Sequence, residues 1–235
     1  MASRMGIPGR VALAALGAVA LLAACAYQGP PTSLAEQRLT WLSYLGAADI
    51  RAACAPGQPD RLRLVYNAGG DRTRGYDLVA LPDGGAVLDQ RVDRGLAVGN
   101  FDVGQALSLG APILAQSRLT PDQYAELRSA LADDGVFGPP PVGLTLRSDR
   151  FYWLVTGCVN GQMHTTAFRD GSAGYDSLAF PARIARHDAT GVPFVTAATA
   201  LEISPSVCRS GGEEGGARSG LCFTVTVGED GLVGL

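Results

Sequence analysis

The chain has no lysine; all 19 of its basic residues are arginine. That excludes a Schiff-base lysine and a phosphate loop closed by Gly-Lys-Ser/Thr. Histidine is almost as scarce, with only His164 and His187. The sequence has no His-Glu-x-x-His pair, EF-hand loop or Gly-x-Ser-x-Gly elbow. No two cysteines stand in a Cys-x-x-Cys pair, so the usual zinc spacing is missing. The sequence therefore points to no catalytic residue, metal site or cofactor. The net charge is −3 at pH 7. A mildly acidic chain lacks the basic face that nucleic acid requires.

The N-terminus does carry a signal. Arg4 and Arg10 make a positive leader without an acid. Val11 to Ala24 follows as 14 small and apolar residues. A spanning helix needs roughly 20 apolar residues, so this run reads as a secretory signal core. It ends in Leu22-Ala23-Ala24-Cys25. This tetrapeptide resembles the lipobox of bacterial lipoproteins at every position. The resemblance implies cleavage before Cys25, a diacylglycerol on its thiol and an acylated new N-terminus. Several acyl chains anchor stably where one holds only marginally. Ala26 stands where Asp would retain many such proteins in the inner membrane, so the resemblance implies the outer membrane, facing the periplasm. The expected organisation is a signal peptide over 1–24, a tether over 25–32 and a globular domain over 33–235. The tether is extended by Pro30 and Pro31.

With Cys25 assigned to lipid, Cys54, Cys158, Cys208 and Cys222 remain. An even set in an exported chain implies two disulfides, and three pairings exist. Cys208 and Cys222 flank a polar stretch with five glycines, Gly211, Gly212, Gly215, Gly216 and Gly220. Closing that loop of about 15 residues is worth up to ~3 kcal/mol in the chain-entropy account. The expected pairs are therefore Cys208–Cys222 and Cys54–Cys158. A four-cysteine zinc site is the alternative, and the spacing disfavours it.

Local patterns predict the elements. Ser33 to Glu36 is a capping box, and Leu34, Trp41, Leu42 and Leu45 follow at helical spacing, predicting a helix over 34–45. Asp49 to Cys54 adds a short turn. Alternation over 61–67 predicts a half-buried strand with Leu62, Leu64 and Tyr66 inward. Strands over 76–81 and 86–92 complete a meander around Pro82-Asp83-Gly84-Gly85. Glycines break 94–116, where no element is assigned. Thr120, Pro121 and Gln123 start a second helix, with Tyr124, Leu127 and Leu131 as its apolar stripe and Gly135 as its stop. Gly138 to Pro141 is a rigid connector. Asn160-Gly161 between two strand patterns, 151–158 and 162–168, is a type I′ hairpin signal. A third helix is expected over 176–187, short strands near 193–203, and a last strand over 222–227. The class is α+β: antiparallel hairpins packed with about three helices.

Among charged residues, Arg61 and Arg63 share a strand face. Arg72, Arg74, Arg91 and Arg94 lie in neighbouring segments. Clustered guanidinium groups would bind a carboxylate or phosphate, so Arg61, Arg63 and Arg74 are candidate anion ligands. The competing reading is a solvated face neutralised by Asp71, Asp77, Asp89 and Asp93. His187-Asp188 has the composition of a base with its orienting carboxylate. The plainer reading of each histidine is a surface residue, His187 by a helix C-terminus and His164 on a strand.

Residues 118–187 also carry Leu119-Thr120-Pro121, Gly135-Val136-Phe137, Ser148 to Trp153, Gly161 and His164. This pattern is similar to small emfourin-type protease inhibitors, with a helix, a Gly-x-Phe exit, an Asp-led strand and a hairpin. The leading expectation is a non-enzymatic envelope lipoprotein, held to the membrane through Cys25, that binds a protein or cell-wall partner. An inhibitor or accessory factor of an envelope protease comes second. A hydrolase using His187-Asp188 or His164 comes third.

Overall fold

A computed structural model describes residues 43–69, 72–94, 112–196 and 223–234. The signal peptide, the tether, Cys25, Cys208 and Cys222 lie outside the described residues, as does most of the helix expected over 34–45. Residues 43–46 of that helix are helical.

The elements run α1 (Ala48–Ala53), β1 (Arg61–Ala68), β2 (Arg72–Ala80), β3 (Ala86–Arg94), β4 (Ile113–Leu119), α2 (Pro121–Asp133), β5 (Thr145–Arg147), β6 (Phe151–Val159), β7 (Gln162–Arg169), a 3-10 turn (Tyr175–Ser177), α3 (Phe180–Ala185), β8 (Thr224–Gly228) and β9 (Gly231–Val233). Six strands form one antiparallel sheet in the order β4-β3-β2-β1-β6-β7, and β5-β8-β9 form a second. The class is α+β, as the pattern predicts. Among the described residues no helix is long and apolar enough to cross a membrane.

The expected meander is present, with Leu64 opposite Tyr76 and Leu78 opposite Leu88. The hairpin at 160–161 also forms, with Asn160 at φ 52° and Gly161 at φ 76°. Both central residues of a type I′ turn need this left-handed backbone. What the pattern does not reveal is that β6 inserts beside β1, pairing Arg61 with Cys158 and Ala68 with Phe151.

One sheet face carries Leu62, Leu64, Tyr66, Tyr76, Leu78, Leu88, Trp153 and Val155. Onto it pack Tyr124, Leu127 and Leu131 of α2 and Phe180 and Ile184 of α3. Thr120 caps α2 by accepting from the Gln123 N–H, and the Gln123 side chain returns the bond to the Thr120 N–H. The opposite face presents Val65, Tyr152, Leu154 and Ala167, covered by Leu45, Leu146, Val225 and Val227. Strand β1 was expected half-buried, yet residues 62–68 are all buried because layers pack on both of its faces.

Several boundaries differ from the pattern. The helix expected over 176–187 divides, because Leu178 is extended at ψ 129° between the 3-10 turn and α3. Pro181 then falls in the first turn of α3, where its missing N–H costs no internal bond. In place of a local cap, Asp134 accepts from the N–H groups of Ala179 and Phe180, both at 2.8 Å. Residues 193–196 form no strand, and 197–203 lie outside the described residues. The strand expected over 222–227 is β8, which begins two residues later at Thr224, and β9 follows it. Ile113–Leu119 pairs with β3 and is a strand that begins within the unassigned 94–116 stretch and runs three residues past it.

Candidate functional site

The candidate anion ligands do not converge. Arg61 and Arg63 lie on the sheet face that also carries Asp77, beneath the segment that contains α1. Arg63 donates to both carboxylate oxygens of Asp49, at 2.9 and 3.0 Å, and its Nε donates to Asp77 at 2.9 Å. Its guanidinium also lies 3.9 Å from the Tyr44 ring centroid. Arg61 pairs with Asp49 at 2.8 Å. Burial pushes the Asp49 carboxyl up, but hydrogen bonds from Arg63 and the Arg61 charge hold it below its usual range. These groups fasten the segment carrying Tyr44 and Asp49 to the sheet.

Arg74 sits on the opposite face because the β2 register places it across from Tyr66. Its side chain is 2% exposed and donates to Asp188 at 2.6 Å, to the Pro193 carbonyl at 2.7 Å and to the Val192 carbonyl. Tyr76 donates to the same Asp188 oxygen at 2.6 Å, and the Thr190 hydroxyl donates to its other oxygen at 2.5 Å. Gln90 and Ser117 both donate to the His187 carbonyl at 2.8 Å, and Tyr66 donates to the Val195 carbonyl at 2.8 Å. Residues 187–195 thus form a strap held by buried, satisfied polar groups. Burial pushes the Asp188 carboxyl up, while Thr190, Tyr76 and Arg74 outweigh it and hold it low.

This strap decides what the histidines can do. The carboxylate that would orient a His187 base is engaged by Arg74, Tyr76 and Thr190. Burial, then the neighbouring Arg186 charge, push the His187 ring below its ordinary value. His164 meets the Phe137 ring edge-on, with centroids 5.6 Å apart.

The third locus joins the expected Cys54–Cys158 disulfide to a groove that pattern reading missed. Cys54 and Cys158 form a disulfide, with Cα atoms 5.5 Å apart. Two residues beyond each cysteine, the chain forms a wall of one groove. Pro56, Gly57, Gln58, Pro59 and Asp60 line one side, with Ala80, Leu81, Pro82 and Asn160 around it, enclosing about 410 Å³. That volume lies in the range of small-ligand and side-chain pockets, about 300–1,000 Å³.

Asp60 fastens the groove at one end. Its carbonyl accepts from the Ala80 N–H at 2.9 Å. Its carboxylate accepts from the Asn160 N–H at 2.8 Å and from Arg128 of α2 at 2.6 Å. Gly161 packs so closely that an added Cβ would lie 2.6 Å from the Pro56 nitrogen. Apolar Pro56, Pro59, Leu81 and Pro82 line it together with polar Gln58, Asp60 and Asn160, and Gln58 and Asn160 are exposed. Three separate turns build this site, so no contiguous motif marks it. The Pro-Gly-x-Pro run beside Cys54 was the only local signal.

No protein-family model, curated protein or solved structure matches the chain.

Proposed function

We propose that this chain is a lipid-anchored envelope protein, held by acyl chains on Cys25, that binds a partner protein and performs no reaction of its own. The groove between Pro56–Asp60 and Asn160 is the binding site in this reading. The observation that carries it is the contrast between the loci. At both arginine clusters the guanidinium groups are engaged by carboxylates or carbonyls of the fold. The groove instead combines apolar Pro56, Pro59, Leu81 and Pro82 with the exposed amide side chains of Gln58 and Asn160. A small number of polar groups around apolar walls is the usual make-up of a recognition site. Ala26, where Asp would favour retention in the inner membrane, supports an outer-membrane location facing the periplasm in this reading.

The test is photo-crosslinking in intact cells, with the crosslinking residue placed at Gln58 or at exposed Arg150. By strand register Arg150 adjoins the opposite end of the sheet. A discrete adduct from Gln58 alone supports the reading. No adduct from Gln58, or the same adducts from both sites, overturns it. A protease in the adduct would make the protein an inhibitor or accessory factor.

A further inference from the structure

The disulfide and the groove share their walls. Cys54 ends the segment fastened by Asp49, and Pro56 begins the groove two residues later. Cys158 lies near the end of β6, two residues before Asn160 on the facing wall. The wall over 55–59 is therefore strung between two fastenings, the disulfide at one end and Asp60 at the other, and packs on Gly161 at Pro56. Among the described residues, the hydrogen bonds that tie this wall to the rest of the fold are those of Asp60. Within the wall, the Gln58 N–H donates to the Ala55 carbonyl at 3.2 Å, a bond that shapes the turn but holds it to nothing else.

We propose that Cys54–Cys158 is a redox lock on the groove, which holds the binding wall in place when oxidised and releases it when reduced. The proposal rests on the groove being the binding site. Cys158 is 4% exposed, whereas Cys54 is half-buried, so a reductant reaches the bond from the Cys54 side. The reductant is a dithiol, such as the reduced form of a thiol–disulfide oxidoreductase. Its thiolate attacks the Cys54 Sγ, the S–S bond breaks, and Cys158 leaves as a thiolate that takes up a proton. The second thiol of the reductant then resolves the mixed disulfide and frees the Cys54 thiol. The protein gains two electrons and two protons, and the dithiol becomes a disulfide.

Release changes recognition through preorganisation. If the freed wall occupies its binding position about one time in ten, apparent affinity falls about tenfold. The sheet itself keeps its ladders and both covering layers.

The experiment compares the mature chain before and after treatment with dithiothreitol, using backbone amide order parameters and the Gln58 crosslink. Gly57 and Gln58 should pass from the rigid value of about 0.85 to below about 0.6, while β1 and β6 stay rigid. The yield of the Gln58 adduct should drop several-fold and recover on reoxidation. The double variant Cys54→Ser/Cys158→Ser should behave as the reduced protein does. If it does not fold, reversible reduction of the native chain still decides the matter. A wall that stays rigid after reduction overturns the lock. So does loss of the whole sheet, which would make the disulfide a global staple. An unchanged adduct yield from a mobile wall overturns it as well. Failure of the binding-site reading looks different: the oxidised protein then yields no Gln58 adduct, whatever the order parameters do.

Discussion

Replacing Asp188 by alanine should be among the most damaging polar substitutions in the fold. Arg74 and Asp188 have side chains only 2% and 6% exposed. Removing the carboxylate leaves a charged guanidinium buried without its counter-charge. It also removes the acceptor of the Tyr76 hydroxyl. Breaking a buried pair from one side costs about 3–5 kcal/mol. Arg74 retains the Val192 and Pro193 carbonyls, so the expected loss lies near the lower end of that range. Asp188→Asn keeps one acceptor for Arg74 and Tyr76, removes the charge and turns an NH2 towards the Thr190 N–H. It should lose about half as much, since charge-assisted bonds are roughly twice as strong as neutral ones. Urea unfolding at pH 7 measures both, read through Trp153, which lies in the same core. Arg118→Ala is the control: its pair with Asp83 lies in solvent, and its midpoint should not move. A loss below about 1 kcal/mol for Asp188→Ala would refute the reasoning. So would an Asn variant as damaged as the Ala variant. The pair also sets an acid limb. The folded Asp188 carboxyl sits below its ordinary value. Its contribution is therefore complete above the unfolded value near ~3.9 and is lost as pH falls through the lower folded value. The Ala variant should lack that part of the acid dependence.

Other expectations are narrower. Gly161→Ala should destabilise by about 1–3 kcal/mol in thermal or urea melts, because it strains a φ of 76° and drives a Cβ into Pro56. The same variant should reduce the Gln58 crosslink. Thr120→Ala should cost about 1 kcal/mol in the same melts by removing the α2 cap. Cys25→Ser should leave the protein without acyl chains, and mass spectrometry finding them on that variant would refute the anchor.

Local chemistry determined much of this protein. The capping box at Thr120, the Asn160-Gly161 turn and the alternation of Leu62, Leu64 and Tyr66 each act within a few residues, so they are legible in the chain. The tetrapeptide ending in Cys25, which resembles a lipobox, is equally local. The even cysteine set left three pairings open, and closing the glycine-rich loop by Cys208–Cys222 left Cys54–Cys158, although the two are 104 residues apart. Strand order was not legible, because nothing local states that β6 pairs with β1. That single insertion brings Asn160 beside Asp60 and makes the groove. The arginines show the same limit. Alternation predicts which residues of one strand share a face, and it does so correctly for Arg61 and Arg63. It cannot relate that face to Arg74 without the register across the β1–β2 turn. Register placed Arg74 on the opposite face, where Asp188 arrives from 114 residues away. The sequence by itself thus determined most of the elements and the class. Tertiary structure decided which charges are neutralised and where an open groove remains, because pairing between distant strands depends on the summed burial of whole faces.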